Sequence, residues 1–253
     1  MTSTGACTEI FGRNIELVGD PDLARLVNIL DQSPDASVFF CNVHMLMLSR
    51  DDPALADAMD DADFVFADGV PVSWLQKKIT GADAQTVRGY QLMQAICRHA
   101  VKNNQAIGLI GSTPEVMATL VGKLSETFEG LSIGYHHSPP YSPGELQTSE
   151  EVLNSIRTSG ITWLFAGFGC PKQEKWVNHF KNEVNCKILA VGAAFDWLAG
   201  TTKKPPDWME NIGLAWLYRL LQDPGKMWSR YLVYNTKFIV STAWLLLTRE
   251  RSK

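Results

Sequence analysis

The stretch Thr162-Trp163-Leu164-Phe165-Ala166-Gly167-Phe168-Gly169-Cys170-Pro171-Lys172-Gln173-Glu174 decides the fold class. It opens as a short apolar, β-rich run and turns through two glycines. It then reaches Pro171 where the first position of a helix is expected, a place at which proline loses no hydrogen bond. Outward from it the same unit recurs. Further β-rich runs lie at 37–42, 63–67, 106–110, 131–135 and 187–191, and apolar residues between them return at helical spacing, as in Leu92/Ile96/Ala100 and Val116/Leu120/Leu124/Phe128. Strands alternating with helices predict an α/β fold built on a mainly parallel, doubly wound sheet.

From Pro205 the pattern changes. Pro205-Pro206 interrupts the chain, and 208–221 and 226–247 read as helices separated by Asp223-Pro224-Gly225. A boundary is therefore expected near residue 202, with an α/β core over 1–202 and a helical appendage over 203–253. The apolar part of the last helix, 238–247, is far shorter than the roughly 20 residues a spanning helix needs. Charge is divided along the same line: residues 201–253 hold nine Lys/Arg against four Asp/Glu, so a formal net charge of −4 hides a basic tail on an acidic body. Four of the eight tryptophans, Trp208, Trp216, Trp228 and Trp244, also lie in the tail. Basic charge with tryptophan is the composition of an interfacial membrane segment, and it is equally that of a basic helical cap on the core. The acidic body and the lack of a binding motif exclude nucleic acid as the expected partner.

The chain of 253 residues, 45% hydrophobic, can bury one large core. Its five cysteines, Cys7, Cys41, Cys97, Cys170 and Cys186, have neither disulfide-framework nor zinc-finger spacing, and residues 1–12 lack a basic patch followed by an apolar run. A cytoplasmic protein in a reducing compartment is expected.

Ligands in doubly wound sheets sit beyond the carboxyl ends of the strands, which directs attention to three turns: 67–71, 111–115 and 167–174. Thr113 reads as an N-cap with Pro114 at the first helical position, and helices starting after Gly111-Ser112 and Gly167-x-Gly169 would aim free N–H groups at a phosphate. Asp68 follows a strand and precedes Gly69, whose missing side chain admits a substrate; the carboxylate reads as a general base or as a cap of the helix starting at Pro71. Gln173 can hydrogen-bond a sugar or phosphate or be a solvated helix residue, and Asp196 can accept from a ribose or base or cap a helix. The third glycine of a dinucleotide fingerprint is missing, since position 172 is lysine, so no NAD is expected. Two D-x-D strings invite a metal. Asp20-Pro21-Asp22 precedes a helix as an N-cap, however, and Asp61-Ala62-Asp63 stands at the amino end of a strand, so neither is expected to bind one. The five histidines lack ligand spacing and are expected on the surface or in loops.

The strings Phe39-Phe40-Cys41-Asn42, Ala67-Asp68-Gly69-Val70-Pro71-Val72, Leu109-Ile110-Gly111-Ser112, Gly167 to Trp176, Gly192-Ala193-Ala194-Phe195-Asp196 and Gly213-Leu214-Ala215-Trp216-Leu217-Tyr218-Arg219-Leu220 resemble the WecG/TagA/CpsF glycosyltransferases, glycosyltransferase family twenty-six. The resemblance runs over roughly residues 35 to 235. It implies a Rossmann-like core with a C-terminal membrane-targeting appendage, and an inverting transfer, without metal or cofactor, from a UDP-sugar to an undecaprenyl-diphosphate-linked sugar at the inner face of the cytoplasmic membrane. Asp68 matches the family's proposed base, and Asn42, Arg88 and Gln173 match residues of its pocket. Gly111, Ser112, Gly167, Gly169, Phe195 and Asp196 are then expected at the donor, and Arg219, Lys226, Arg230 and Trp228 at the lipid diphosphate and membrane. Members transfer N-acetylmannosamine, its uronic acid or glucose, and a homo-oligomer is compatible with the sequence. Two departures stand out. Phe40 replaces the threonine that teichoic-acid members often carry, and the appendage has only Arg230, with Lys226, after Asp223-Pro224, where several arginines are usual. Lysine cannot reproduce arginine's bidentate fork, so fewer diphosphate contacts follow. The rival readings are an epimerase-like UDP-sugar enzyme and a non-catalytic nucleotide-sugar-binding membrane scaffold.

Overall fold

The computed structural model of the chain describes residues 6–20, 22–140, 144 and 148–250, without the side chains at 226, 227, 229, 230 and 250. The chain opens with a hairpin, β1 (Cys7–Ile10) and β2 (Arg13–Glu16), then α1 (Leu23–Asp31), β3 (Ser37–Cys41), α2 (Val43–Leu48), α3 (Pro53–Asp60), β4 (Phe64–Ala67) and α4 (Val70–Thr80). The second half of the sheet follows: α5 (Gly89–Lys102), β5 (Ala106–Gly111), α6 (Pro114–Thr127), β6 (Ser132–His137), α7 (Glu150–Thr158), β7 (Trp163–Gly167), α8 (Lys172–Phe180), β8 (Lys187–Ala190) and α9 (Ala194–Ala199). Three helices end the described chain, α10 (Asp207–Asn211), α11 (Ala215–Gln222) and α12 (Pro224–Glu250).

The eight strands form one sheet in the order β1-β2-β4-β3-β8-β7-β5-β6, parallel except for the β1–β2 hairpin. The protein is thus an α/β protein of the doubly wound, Rossmann-like kind, and the six strands expected from the sequence are all present. Every residue of β3, β4 and β8 is buried, because helices cover both faces. Alternation divides the strands between two cores. Val38 and Phe40 with Trp163 and Phe165 pack under α1, α5, α6 and α9, while Phe39 and Cys41 with Leu164 and Ala166 pack under α2, α3, α4, α7 and α8.

The β1–β2 hairpin is an addition to the expected set. Its two-residue turn, Phe11-Gly12, has φ of +50° and +79°, both in the left-handed region that a tight hairpin turn of matching twist requires. Each strand is only four residues long, too short to show a convincing period of two.

The helix expected over 208–221 is two helices. It breaks at Gly213, where φ is +80° and a Cβ would stand 3.4 Å from Val70 Cβ; the close approach to the start of α4 sets the break. The last helix begins at Pro224, so Pro224-Gly225 opens α12. Along α12, Tyr231, Phe238 and Thr242 turn inward and are buried. Tyr234 meets the His44 ring edge-on at 4.8 Å, Arg50 Nη1 donates to Ser241 Oγ at 2.7 Å, and Lys237 pairs with Asp51. Val233, Val240, Trp244 and Leu247 are exposed. No described helix is long and apolar enough to cross a membrane.

Candidate active site

A cavity of about 710 Å³ opens beyond the carboxyl ends of β3, β4 and β8 and is closed on its other side by α11 and α12. This is where the chain order reverses, β4 lying on one side of β3 and β8 with β7 and β5 on the other, which is the position such sheets use for ligands.

Two strand ends build its floor. After β3, Asn42 caps α2, and its Oδ1 accepts from the Met45 N–H at 3.1 Å. That bond fixes the amide so that the NH2 group serves the Asp68 carboxylate, to which Asn42 is hydrogen-bonded. After β4, the Asp68 N–H donates to Cys41 O at 2.9 Å, holding the strand ends together up to the point where the chain turns away. Gly69, at φ +97°, makes that turn and is itself the N-cap of α4, with no side chain capping the helix. Asp68 therefore does not cap α4, and its carboxylate lines the cavity. Burial raises its pKa, and Glu210 adds to the rise; the guanidinium groups of Arg88 and Arg219 and the Asn42 bond oppose it. The balance leaves it at about 6, within reach of a proton-accepting role near neutrality.

Arg88 stands at the N-cap of α5 and reaches into the cavity. Arg219 on α11 also lines it, with its guanidinium 5.7 Å from the centre of the Trp197 ring. Gln173 is 5% exposed and held from all sides: Oε1 accepts from Gly169 N at 3.0 Å, and Nε2 donates to Glu174 Oε1 at 2.9 Å and to Ala190 O at 3.1 Å. Both its donors are thus taken by the protein, and it ties the start of α8 to the end of β8. Trp228, 60% exposed, stands at the mouth with Leu232 and Ile239. The side chains of Lys226 and Arg230 lie outside the described residues.

The cavity thus gathers Asn42, Asp68, Arg88, Gly169, Gln173, Arg219 and Trp228, whereas Gly111, Ser112, Gly167, Phe195 and Asp196 are absent from its walls. Two of those glycines have a packing reason. A Cβ on Gly111 would stand 2.7 Å from the Gly167 carbonyl carbon, and one on Gly167 would stand 2.5 Å from the Phe195 ring. The Ser112 N–H donates to Gly167 O at 3.1 Å, so the ends of β5 and β7 are drawn together over Phe195. Gly167→Ala is expected to lower stability by about 1–3 kcal/mol through overpacking. Partial recovery of the melting temperature in Gly167→Ala/Phe195→Leu checks the cause. Asp196 accepts at Oδ1 from the Thr201 hydroxyl at 3.5 Å.

Thr113 caps α6, accepting from Val116 N at 3.4 Å, with Pro114 first in the helix as its sequence indicates. Pro171 stands one residue earlier than expected, at the N-cap of α8. Of the D-x-D strings, Asp22 caps α1 through Ala24 N at 2.9 Å, and Asp63 binds Ser37 N and Oγ at 2.9 and 2.8 Å at the amino edge of the sheet. The histidines are less peripheral than expected. His44 lines the cavity, and His99 Nε2 lies 3.0 Å from Asp31 Oδ2.

Sequence reasoning missed Glu210, Tyr90, Lys204 and Trp197. Glu210, 6% exposed, accepts from the Tyr90 hydroxyl at 3.1 Å, and Lys204 Nζ donates to the same hydroxyl at 2.8 Å. A buried acid in a basic tail was the available signal, but burial is not visible in a sequence of mixed polarity such as Asp207-Trp208-Met209-Glu210-Asn211.

The parallel α/β sheet thus brings a half-buried carboxylate, two guanidiniums and an amide to its switch point. Residues 8–252, nearly the whole chain, match the sequence model of the Glycosyl transferase WecG/TagA/CpsF family, and the chain belongs to that family. It is a glycosyltransferase of cell-surface polysaccharide synthesis, working between a nucleotide-sugar donor and a saccharide acceptor.

Proposed function

We propose that the protein transfers a sugar, with inversion and without a metal, from a UDP-sugar to an undecaprenyl-diphosphate-linked saccharide at the inner face of the cytoplasmic membrane. The observation that carries this reading is the half-buried Asp68 carboxylate, gathered with Asn42, Arg88 and Arg219 in a cavity whose mouth is walled by the exposed apolar residues of α12. Asp68 takes the proton of the acceptor hydroxyl. The freed oxygen pair bonds to the anomeric carbon as the bond from that carbon to the UDP β-phosphate oxygen breaks on the opposite face. The leaving diphosphate is met by positive potential from Arg88 and from the start of α8, whose first turn lines the cavity, and not from the start of α6, which lies outside its walls. Residues 203–253 form the acceptor-holding appendage, with Arg219, Lys226 and Arg230 on the lipid diphosphate and Trp228, Trp244 and the outer face of α12 in the bilayer interface.

Activity is expected to survive EDTA, since Asp22 and Asp63 serve helix and strand ends away from the cavity. Inactivation by chelator with recovery on Mn²⁺ or Mg²⁺ would contradict this. The decisive assay incubates the protein with UDP-linked N-acetylmannosamine, N-acetylmannosaminuronic acid and glucose and a short-chain diphosphate-lipid saccharide. A product heavier by one sugar residue is expected by mass spectrometry. Conversion of the donor without any acceptor product would favour an epimerase-like enzyme, and donor binding without conversion would leave only a scaffold.

A further inference from the structure

We infer that Glu210 is a positioning residue, carried on α10, that locks the C-terminal helices to the body and holds Arg88 in place beside Asp68. The inference rests on the reading of Asp68 as the base. One oxygen, Oε2, organises the junction. It accepts from the Tyr90 hydroxyl at 3.1 Å and stands 3.6 Å from Arg88 Nε and 3.5 Å from Lys204 Nζ. The next residue, Asn211, accepts at Oδ1 from Arg88 Nη2 at 3.0 Å. Two consecutive residues of α10 therefore grip one guanidinium along its Nε and Nη2 edge, across more than 120 residues of chain. On the body side Tyr90 is braced by the Trp197 ring, edge-on at 5.6 Å.

Stability alone is a weak reason for this arrangement, because a buried ion pair is often no more stabilising than apolar residues of the same volume. Its location gives a better one. Asp68 is faced by Arg88 from α5, Arg219 from α11 and Glu210 from α10, with Asn42 bonded to it and the Cys41 thiol beneath. Glu210 in turn is faced by Arg88, Tyr90 and Lys204, with Asp207 beyond them. Glu210 offsets part of the Arg88 charge and so keeps Asp68 a stronger base than two unopposed guanidiniums would allow. The base is thereby set to its working strength only when α10 is docked, which makes proton removal depend on the segment proposed to hold the acceptor.

The test uses the full chain and follows transfer to the soluble acceptor across pH. Glu210→Gln keeps an acceptor for Tyr90 and removes only the charge. It is expected to lower kcat about tenfold, to leave the donor KM within a few-fold, and to move the acid limb of the kcat/KM profile down by roughly half to one pH unit. Lys204→Gln, which removes a cation, is expected to move the same limb upward. A purely structural role would lower the melting temperature and the rate without moving either limb, and unmoved limbs overturn the inference. Should Glu210→Gln fail to fold, the Lys204→Gln profile alone decides. Asp68→Asn assayed in parallel separates the two readings: an inactive Asp68→Asn with unmoved limbs overturns the role of Glu210 only, whereas an active Asp68→Asn overturns the base assignment beneath it.

Discussion

Asp68→Asn is expected to lower turnover by roughly 10²- to 10⁴-fold while leaving UDP binding within a few-fold. The substitution removes the proton acceptor and nearly preserves the shape of a half-buried side chain that lines the cavity with Asn42, Arg88 and Arg219. In the wild-type enzyme the same group gives an acid limb: the base works only when ionised, so kcat/KM should fall as pH drops through about 6. Stability carries a second signature of opposite sense. The folded-state pKa is raised above the ordinary aspartate value of 3.8, so the contribution of Asp68 to stability is fully present below that value and is lost as pH rises through about 6. A shift of this size corresponds to at most about 3 kcal/mol. Asp68→Asn, which mimics the protonated form, should therefore melt higher than wild type at pH 7–8, with the difference closing near pH 4. Near-normal turnover in the variant, or melting temperatures that stay level across pH, would remove Asp68 from the role of base.

The parts of this protein that sequence reveals are those where one residue type has one physical explanation. Continuous apolar runs such as 163–166 and 188–191 announce strands buried on both faces, and Thr113-Pro114 announces a helix start, because those patterns have few other uses. Asp68 stands out in the sequence because it follows a strand at the ligand edge, whereas Asn42 and Arg88 stand out only through the family resemblance. Glycines were less informative. Gly69 turns the chain beside Asp68, but Gly111 and Gly167 admit neighbouring backbone and the Phe195 ring, and the sequence carries no mark that separates these uses. The break at Gly213 was hidden for a related reason, since it depends on Val70, far away in the chain. The Glu210 junction depends on pairing between residues 88, 90, 204 and 210, which no local period encodes.

Truncation after residue 202 is expected to abolish membrane attachment and to lower transfer at least about a hundredfold even on a water-soluble acceptor. The first effect follows from charge and surface. The removed segment holds nine Lys/Arg against four Asp/Glu, each basic residue near an anionic bilayer contributes about 1 kcal/mol of attraction, and the exposed Trp228, Trp244 and Leu247 leave with it. Co-sedimentation with anionic vesicles measures it. The second effect follows from the cavity, which loses the wall made by α11 and α12 together with Arg219, while Arg88 loses Glu210 and Asn211; misplacement of a reacting group by about 1 Å already costs on the order of 10² in rate. The body should nevertheless stay folded, because the eight-stranded sheet and the nine helices α1 to α9 all lie upstream. Its melting temperature should fall, since removing Phe238 uncovers the Met45 to Met47 side of its core. A folded truncation that still transfers at the wild-type rate would reduce α10 to α12 to a structural cap. The same conclusion would follow from Arg219→Ala and Arg230→Ala together leaving vesicle binding and soluble-acceptor transfer unchanged, because those two arginines are the ones proposed to meet the acceptor diphosphate.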